Sequence, residues 1–575
     1  MFHEILDLYF RQHDSRQIIY HQIASFNYFL EYDIPEAIMR CCPIRVVGSP
    51  DLTLTGTTRA AAGTAGTAIR VTVEGNEEAV AAALVAQTTA AAAGLEKSPR
   101  EVEVIVQFQN VSIRKPTIFE NNGAVTPMYP NDARLRNLTY AAPIYVDLHV
   151  TTTIKDKNKG FEETKVRLLP NIHVGKIPVM VNSKFCQLSE NPEKTPKEQG
   201  ECSADMGGYF IVQGSEKVII SQERMAENRL FVFRNNKVKN REAEVIECKS
   251  IGPDNEGAPK TIAVKILLNP KNPTNPETIR VSLPRIKTEV PLFILMRCLG
   301  IERDDEIIQM ITGSKESPYD MILQECIIDA DEIRTKDQAL EWLTKYIGSG
   351  SSIRESLTAY SLPYVKPNKA LVVQEILAEE LFPHIGGIQV LREKAFFLAA
   401  MTLKSLQCYY DQIISDDRDG YPNKKVESPG NLLGNLFRYY FSTRCIKEMK
   451  SAITTEIHNG AWKTTGRIEE IINPNNVYKI LKSTTVDIGL KSSLATGNFN
   501  CGKMGIKTGI SQVLNRLTYL SGISHLRRCS TPIEKTGKLI PPRKCHNSQW
   551  GYVCPSETPE GHSVGVVRAR ERDNL

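Results

Sequence analysis

Two repeats divide this sequence, and the switch between them limits what it can fold into. Residues 108–235 read as strands joined by tight turns, for example APIYVDLHVTTTI (142–154), VRLLP (166–170), KIPVMV (176–181) and GGYFIVQGSEKVII (207–220). Upstream, IRVTV (69–73) and EVEVIVQF (101–108) alternate with period two. Beyond 391 the spacing becomes helical: 392–415 (REKAFFLAAMTLKSLQCYYDQIIS) and 431–456 read as long amphipathic helices. At 575 residues, such a chain is expected to be α+β and multidomain, with roughly three or four domains.

The remaining segments fill in this outline. Residues 1–40 read as helical, with Phe26, Phe29 and Leu30 at i, i+3, i+4 spacing. Residues 59–96 form an Ala-, Gly- and Thr-rich insert with little large apolar surface and one helical stretch at 77–94. Polar loops are expected at 155–163 and 189–203. Residues 236–390 read as a mixed unit with strands TIAVKILL (261–268) and TIRVSL (278–283), a Pro-rich loop at 270–277, and helices at 289–300 and 370–382. DDRDGYPNKK (416–425) reads as a charged turn, in which Asp416, Asp417 and Asp419 beside Arg418 and two lysines need no cation.

Several functional classes drop out. No window approaches 18 consecutive apolar residues, so no membrane partner is expected, and the first residues lack a secretory pattern. Thirteen cysteines, scattered except for Cys41-Cys42 and without a C-x-x-C, fit reduced thiols in a cytosolic or nuclear compartment. Cys545 and Cys554 flank His546 at a spacing unlike paired zinc ligands, so no metal site is expected on this chain. There is no phosphate-binding P-loop, nucleophile elbow or H-E-x-x-H.

Charge points to a partner. Residues 491–550 carry ten Lys or Arg and one acid, Glu534, although the whole chain holds 71 basic and 66 acidic side chains. A belt so poor in acids fits a polyanion, and a solvated charged face is the alternative. GNFNCGKMGIKTGIS (497–511) places Lys503 and Lys507 among glycines that let a loop approach a phosphate backbone. In 511–528, Val513, Leu517 and Leu520 share one helical stripe, and Gln512, Arg516 and Arg527 fall off it.

Six blocks then resemble one family. SFNYFL (25–30), YPNDARLRNLTYAAPIYVDL (129–148), KIPVMVNSKFCQL (176–188), DMGGYFIVQGSEKVIISQER (205–224), DDRDGYPNKK and the run from LATGNFN to SETPEGHSVG (494–565) are similar to the second-largest subunit of multisubunit DNA-directed RNA polymerase. The similarity is to the eukaryotic, archaeal and large-DNA-virus branch, and to the N-terminal half of the subunit. It implies a protrusion over 1–222, a lobe over 223–390, a second, helical protrusion part over 391–490 and a fork over 491–565, followed by a non-family tail at 566–575. These walls would flank the cleft for downstream DNA and the RNA–DNA hybrid, making the chain part of a nucleotidyltransferase complex.

Residue by residue, the resemblance puts Gln512, His525, Arg527 and Arg528 near nascent RNA, with Lys503, Lys507 and Arg516 in the same belt. STPIEKTGKLIPPRK (530–544) resembles the second fork loop, where Lys535, Lys538, Arg543 and Lys544 would meet phosphates. Glu557 and Glu560 of SETPEG would lie beside the active centre, structural ion pairs or loop hydrogen bonds being the alternative. A buried, satisfied core histidine is the alternative for His525. Arg134 and Arg136 are expected to serve packing and ion pairs. No catalytic residue is expected here: the family holds its Mg2+ in the largest subunit, on a motif absent from this sequence. Implied partners are that largest subunit, a polypeptide carrying the missing C-terminal half, other polymerase subunits, template DNA and nascent RNA. The competing function is a catalytically silent nucleic-acid-binding fragment from a split, truncated or misannotated gene.

Overall fold

The computed structural model describes residues 18–48, 100–156, 161–189, 197–202, 204–234, 242–252, 259–269, 272–314, 317–348, 369–502, 505–537 and 539–570. The Ala-rich insert, its helix at 77–94 and the strand IRVTV lie outside these residues. Helices and several separate sheets make the fold α+β, and two apolar cores divide it.

The first core is built on an antiparallel sheet ordered Ile44–Gly48, Arg100–Ile113, Ala141–Asp156, Phe161–Pro178. The alternation read in 101–108 becomes burial of Val102, Val104, Val106 and Phe108 on one face. Among the described residues the first helix, Tyr20–Tyr28, continues through a π turn at Phe29–Asp33 into Ile34–Arg40, and it buries Phe26, Phe29 and Leu30 as their spacing requires. Much later in the chain, Pro429–Arg438, a π turn at Tyr439–Cys445 and Ile446–Asn459 return to this core, bringing Phe437 within 6.4 Å of Phe29 and Phe441 within 5.7 Å of Phe108.

The second core fills the gap between these two passages. An antiparallel meander, Leu230–Arg234, Glu242–Ser250, Lys260–Asn269, Asn272–Ser282 and Val290–Pro291, packs against helices that include Leu292–Cys298, Asp320–Ile328 and Leu391–Tyr409. This moves one expected boundary. The helix Leu391–Tyr409, assigned from sequence to the 391–490 unit, buries Ala395, Leu398, Met401 and Leu406 in the second core, so the passage back to the first core comes after it. Asp416 then closes the meander's edge: its backbone N–H donates to Val232 O (2.8 Å), and its carboxylate accepts from Val232 N (2.8 Å) and Lys404 Nζ (3.0 Å).

Three local readings change. At the ends of the loop expected at 155–163, Lys155 pairs with Glu162 and Asp156 with Phe161 as strand, and residues 157–160 lie outside the described residues. The Pro-rich stretch at 270–277 is strand from Asn272 onward. The 511–528 helix is only Tyr519–Leu526, starting at a capping box of Thr518 and Ser521, while Ser511–Val513 pairs as a strand with Lys217–Ile219. Val513, Leu517 and Leu520 are accordingly all exposed and do not form a buried stripe.

Candidate nucleic-acid interface

A small sheet organises the basic region. Its strands, Lys424–Glu427, Ser221–Met225, Arg528–Ser530 and Val567–Ala569, come from four distant parts of the chain, and Arg528–Ser530 runs parallel to Ser221–Met225. Beside it lies the sheet Ser511–Val513, Ser215–Ile219, Phe210–Val212, whose hairpin turns at Gln213 (φ 51°) and Gly214 (φ 75°). Gln22 of the helix Tyr20–Tyr28 donates to Ile219 O (3.3 Å) and Leu526 O (2.7 Å), tying the three-stranded sheet and the short helix Tyr519–Leu526 to the first core.

Buried acids hold the four-stranded sheet together. Glu223 is 3% exposed; it pairs with Lys424, accepts from the Tyr421 hydroxyl (3.0 Å) and lies 3.7 Å from Arg568. Glu427, 6% exposed, pairs with Arg224 (2.9 Å) and Lys507 (3.5 Å). Charges this deep require opposite partners, because desolvation would otherwise dominate. Within the stretch 566–575 read as a non-family tail, Val567–Ala569 joins this sheet, and Arg568 and Arg570 are buried.

The expected nucleic-acid residues separate into two groups. In the first, the side chains are already engaged inside the protein. Burial pushes the Lys507 ammonium below its usual pKa, and Glu427 opposes that shift. Arg516 binds Glu216 (2.8 Å) and Asp205 (3.1 Å) and covers the Tyr209 ring at 4.9 Å. Arg527 donates to the backbone oxygens of Ile18 and Arg570. Gln512 Oε1 meets His525 Nε2 at 3.0 Å, and His525 Nδ1 accepts from Asn515 N (3.1 Å). Burial, helped by nearby Arg528, lowers the His525 pKa to about 4, which makes it a neutral, satisfied interior histidine. Arg543 spends its guanidinium on backbone carbonyls of its own loop.

The second group faces outward. Arg528, half-buried, and Lys535 and Lys544, both exposed, make no ion pair among the described residues. Arg528 borders a cavity of about 190 Å³ shared with Glu557, Thr558, Pro559 and Arg568. Glu557 is exposed and accepts from the Ser524 hydroxyl, and Thr558 anchors SETPEG by donating to Val567 O (3.0 Å). Glu560 is exposed at the start of the turn Gly561–Ser563. Lys503 and Lys538 lie outside the described residues.

Sequence reasoning missed Glu223, Glu427, Glu216 and Asp205, the acids that absorb these cations. The available signal was the charge balance itself, because a belt this basic in a nearly neutral chain leaves acids elsewhere to meet it. Arg134 with Glu201 (2.7 Å) and Glu216 (2.9 Å), and Arg136 with Glu120 (2.6 Å), serve ion pairing as expected. Asp417 meets His546 Nε2 at 2.6 Å, and Arg418 covers the Phe233 ring at 3.8 Å, so the charged turn at 416–425 is tied down and not merely solvated. Among the described residues, no three His, Cys, Asp or Glu come together to hold a metal ion, and the acids nearest the belt are taken by Arg and Lys. All thirteen cysteines are free thiols. No helix among the described residues is long and apolar enough to cross a membrane.

Comparison with known proteins adds relatives. A family model described as RNA polymerase beta subunit matches residues 70–478, spanning the 236–390 unit that the sequence blocks left largely uncovered. A second, RNA polymerase Rpb2, domain 3, matches residues 512–569. The chain is 36% identical over 468 residues to DNA-directed RNA polymerase II subunit 2 of Arabidopsis thaliana, an alignment covering 80% of this chain and 37% of that protein. It is 34% identical over 493 residues to DNA-directed RNA polymerase II subunit RPB2 of Encephalitozoon cuniculi, covering 84% and 39% respectively. It is also 31% identical over 471 residues to DNA-directed RNA polymerase subunit Rpo2N of Methanococcus vannielii, covering 80% of this chain and 84% of that one. The chain thus spans under two fifths of the two eukaryotic relatives' length and most of the archaeal one's.

Proposed function

This chain belongs to the RNA polymerase beta-subunit family, and from that premise we propose that it forms one wall of the cleft that holds template DNA and nascent RNA during template-directed RNA synthesis. It does so in a complex with the largest subunit and with further polymerase subunits. The observation that carries this reading is the four-stranded sheet. It brings Arg528 to the cavity beside Glu557 and roots the loop from which Lys535 and Lys544 face solvent. Cations without internal partners are those available to neutralise phosphates, whereas Lys507, Arg516, Arg527 and Arg543 act inside the wall. Lys503 and Lys538 belong to the same basic belt and are assigned the same phosphate-facing role.

Nucleotidyl transfer relies on metal ions to stabilise the attacking and leaving oxygens. Following the family resemblance, we assign Mg2+ to the largest subunit, and this chain contributes position and electrostatic field. Glu557, on the cavity shared with Arg528, and exposed Glu560 are assigned to the active-centre side of the wall. The thirteen free thiols fit assembly in a reducing compartment, nuclear or cytoplasmic.

Photo-cross-linkers placed at 528, 535 and 544 in an assembled, elongating complex test this assignment. Adducts to DNA or RNA are expected from these positions and not from 516 or 527. Absence of nucleic-acid adducts from all three would overturn it.

A further inference from the structure

The backbone between strands Arg528–Ser530 and Val567–Ala569 leaves the sheet, carries Lys535 and Lys544, and returns. A loop of that length would ordinarily be costly to order against a ligand. Arg543 sits in its middle, at the end of the turn Pro541–Arg543. Arg543 Nη1 donates to His562 O (2.7 Å) and Val564 O (3.1 Å), and Nη2 donates to Lys535 O (2.8 Å) and Gly537 O (3.1 Å). Lys535 and Gly537 lie on the outgoing limb, His562 and Val564 on the returning one. One guanidinium therefore spans the loop.

The backbone is shaped to this contact. Gly565 has φ +68°, and a Cβ there would lie 2.1 Å from Arg543 O, so the returning limb passes where no side chain fits. A second arginine bolts the same turn to the sheet. Arg568, buried beside Glu223, donates Nη2 to Pro542 O (2.6 Å) and Nη1 to the Tyr421 hydroxyl (3.2 Å).

We propose that Arg543, backed by Arg568, is a positioning residue that holds Lys535 and Lys544 in place for a nucleic-acid backbone and makes no phosphate contact itself. The proposal rests on the functional reading above for its ligand but not for its geometry. A lysine keeps the charge yet presents a compact ammonium that cannot span four carbonyls, which makes Arg543→Lys the informative variant.

The test uses the full chain in its assembled complex. Arg543→Lys and Arg543→Gln are compared with wild type by hydrogen–deuterium exchange over 531–544 and by salt-dependent binding of a DNA–RNA scaffold. Both variants should exchange faster there and lose affinity alike, by about tenfold. Lys535→Gln with Lys544→Gln should flatten the wild-type salt slope by about 0.9 per residue, and by much less in the Arg543→Lys background. An independent structural defect would leave those effects additive. Wild-type binding by Arg543→Lys, with Arg543→Gln alone flattening the slope by about 0.9, would make Arg543 a phosphate ligand and overturn the proposal. So would unchanged exchange in both variants. If wild type binds no scaffold at all, the functional reading fails, and the exchange comparison still decides the clasp.

Discussion

Two basic regions follow one another in this chain and use their charge in opposite ways. Through 505–527 the backbone lies against the first core as a strand, a turn and a short helix, and its cations reach inward. Lys507 goes to Glu427, Arg516 to Glu216 and Asp205, and Arg527 to backbone oxygens. Through 531–544 the chain leaves the sheet, and Lys535 and Lys544 meet solvent while Arg543 organises the backbone beneath them. A cation beside a core must find a carboxylate or carbonyl, because leaving it unpaired there costs more than the pair returns. A cation on a loop rim has no such requirement and stays available to an external anion. Both regions are basic along the sequence, with three Lys or Arg in 505–527 and four in 531–544, and the placement of the backbone relative to the core decides which of them are structural.

The contrast breaks most readily at Glu223. Replacing it with Ala leaves Lys424 and Arg568, both under a tenth exposed, without their carboxylate. We expect a loss on the order of 3–5 kcal/mol in urea-induced unfolding of the chain, as for other buried pairs stripped of one partner. A loss below about 1 kcal/mol would mean that the sheet does not depend on this acid.

Next in size is His525. Its pKa falls from about 6.5 to about 4 on folding, so between those values the unfolded chain binds a proton that the folded chain refuses. Stability therefore falls as pH drops from 6.5 toward 4, by on the order of 3 kcal/mol from this group. His525→Gln, which keeps a hydrogen-bonding side chain, should shallow that limb in thermal melts taken across the window. Parallel limbs for the two proteins would contradict a buried neutral histidine. Arg516→Ala should cost less, about 1 kcal/mol by chemical denaturation, because its side chain is nearly half exposed and its ion pairs are screened. A cost of several kcal/mol would place Arg516 among the buried structural cations.

Much of this architecture is legible in the residues, and the failures have physical causes. The strand at 142–154 and the helix around Phe26, Phe29 and Leu30 are readable because one face of each is buried and the burial period is printed in the sequence, whereas the strands in 207–220 are readable from a turn at Gln213-Gly214 between apolar runs. The strand ends Lys155–Asp156 and Phe161–Glu163 are not, because exposed residues such as Glu162 carry no burial period. Val513, Leu517 and Leu520 mimic a helical stripe, yet strand pairing to Lys217–Ile219 and the cap at Thr518 override the pattern. The helix at 391–409 is identifiable, but which core it joins depends on tertiary packing that periodicity does not encode. The cations of the belt stand out, whereas their partners do not, since Lys507 and Glu427, or Arg516 and Glu216, are neighbours only after folding.

The sharpest form of the contrast is a change that leaves stability alone. Lys535→Gln and Lys544→Gln remove exposed side chains with no ion pair among the described residues, so each should alter unfolding by no more than about 0.5 kcal/mol. Nucleic-acid affinity of the assembled complex should nevertheless fall, and the dependence of log affinity on log salt should flatten by about 0.9 for each lysine that meets a phosphate. Arg516→Ala is the counterpart from the inward-facing region, with a measurable change in stability and little change in salt slope. The two variables therefore separate the regions more cleanly than affinity alone, because affinity falls both when a phosphate contact is lost and when the wall is loosened. Equal slopes for Lys535→Gln and wild type would move that lysine into the structural group, and a flattened slope for Arg516→Ala would move the arginine out of it.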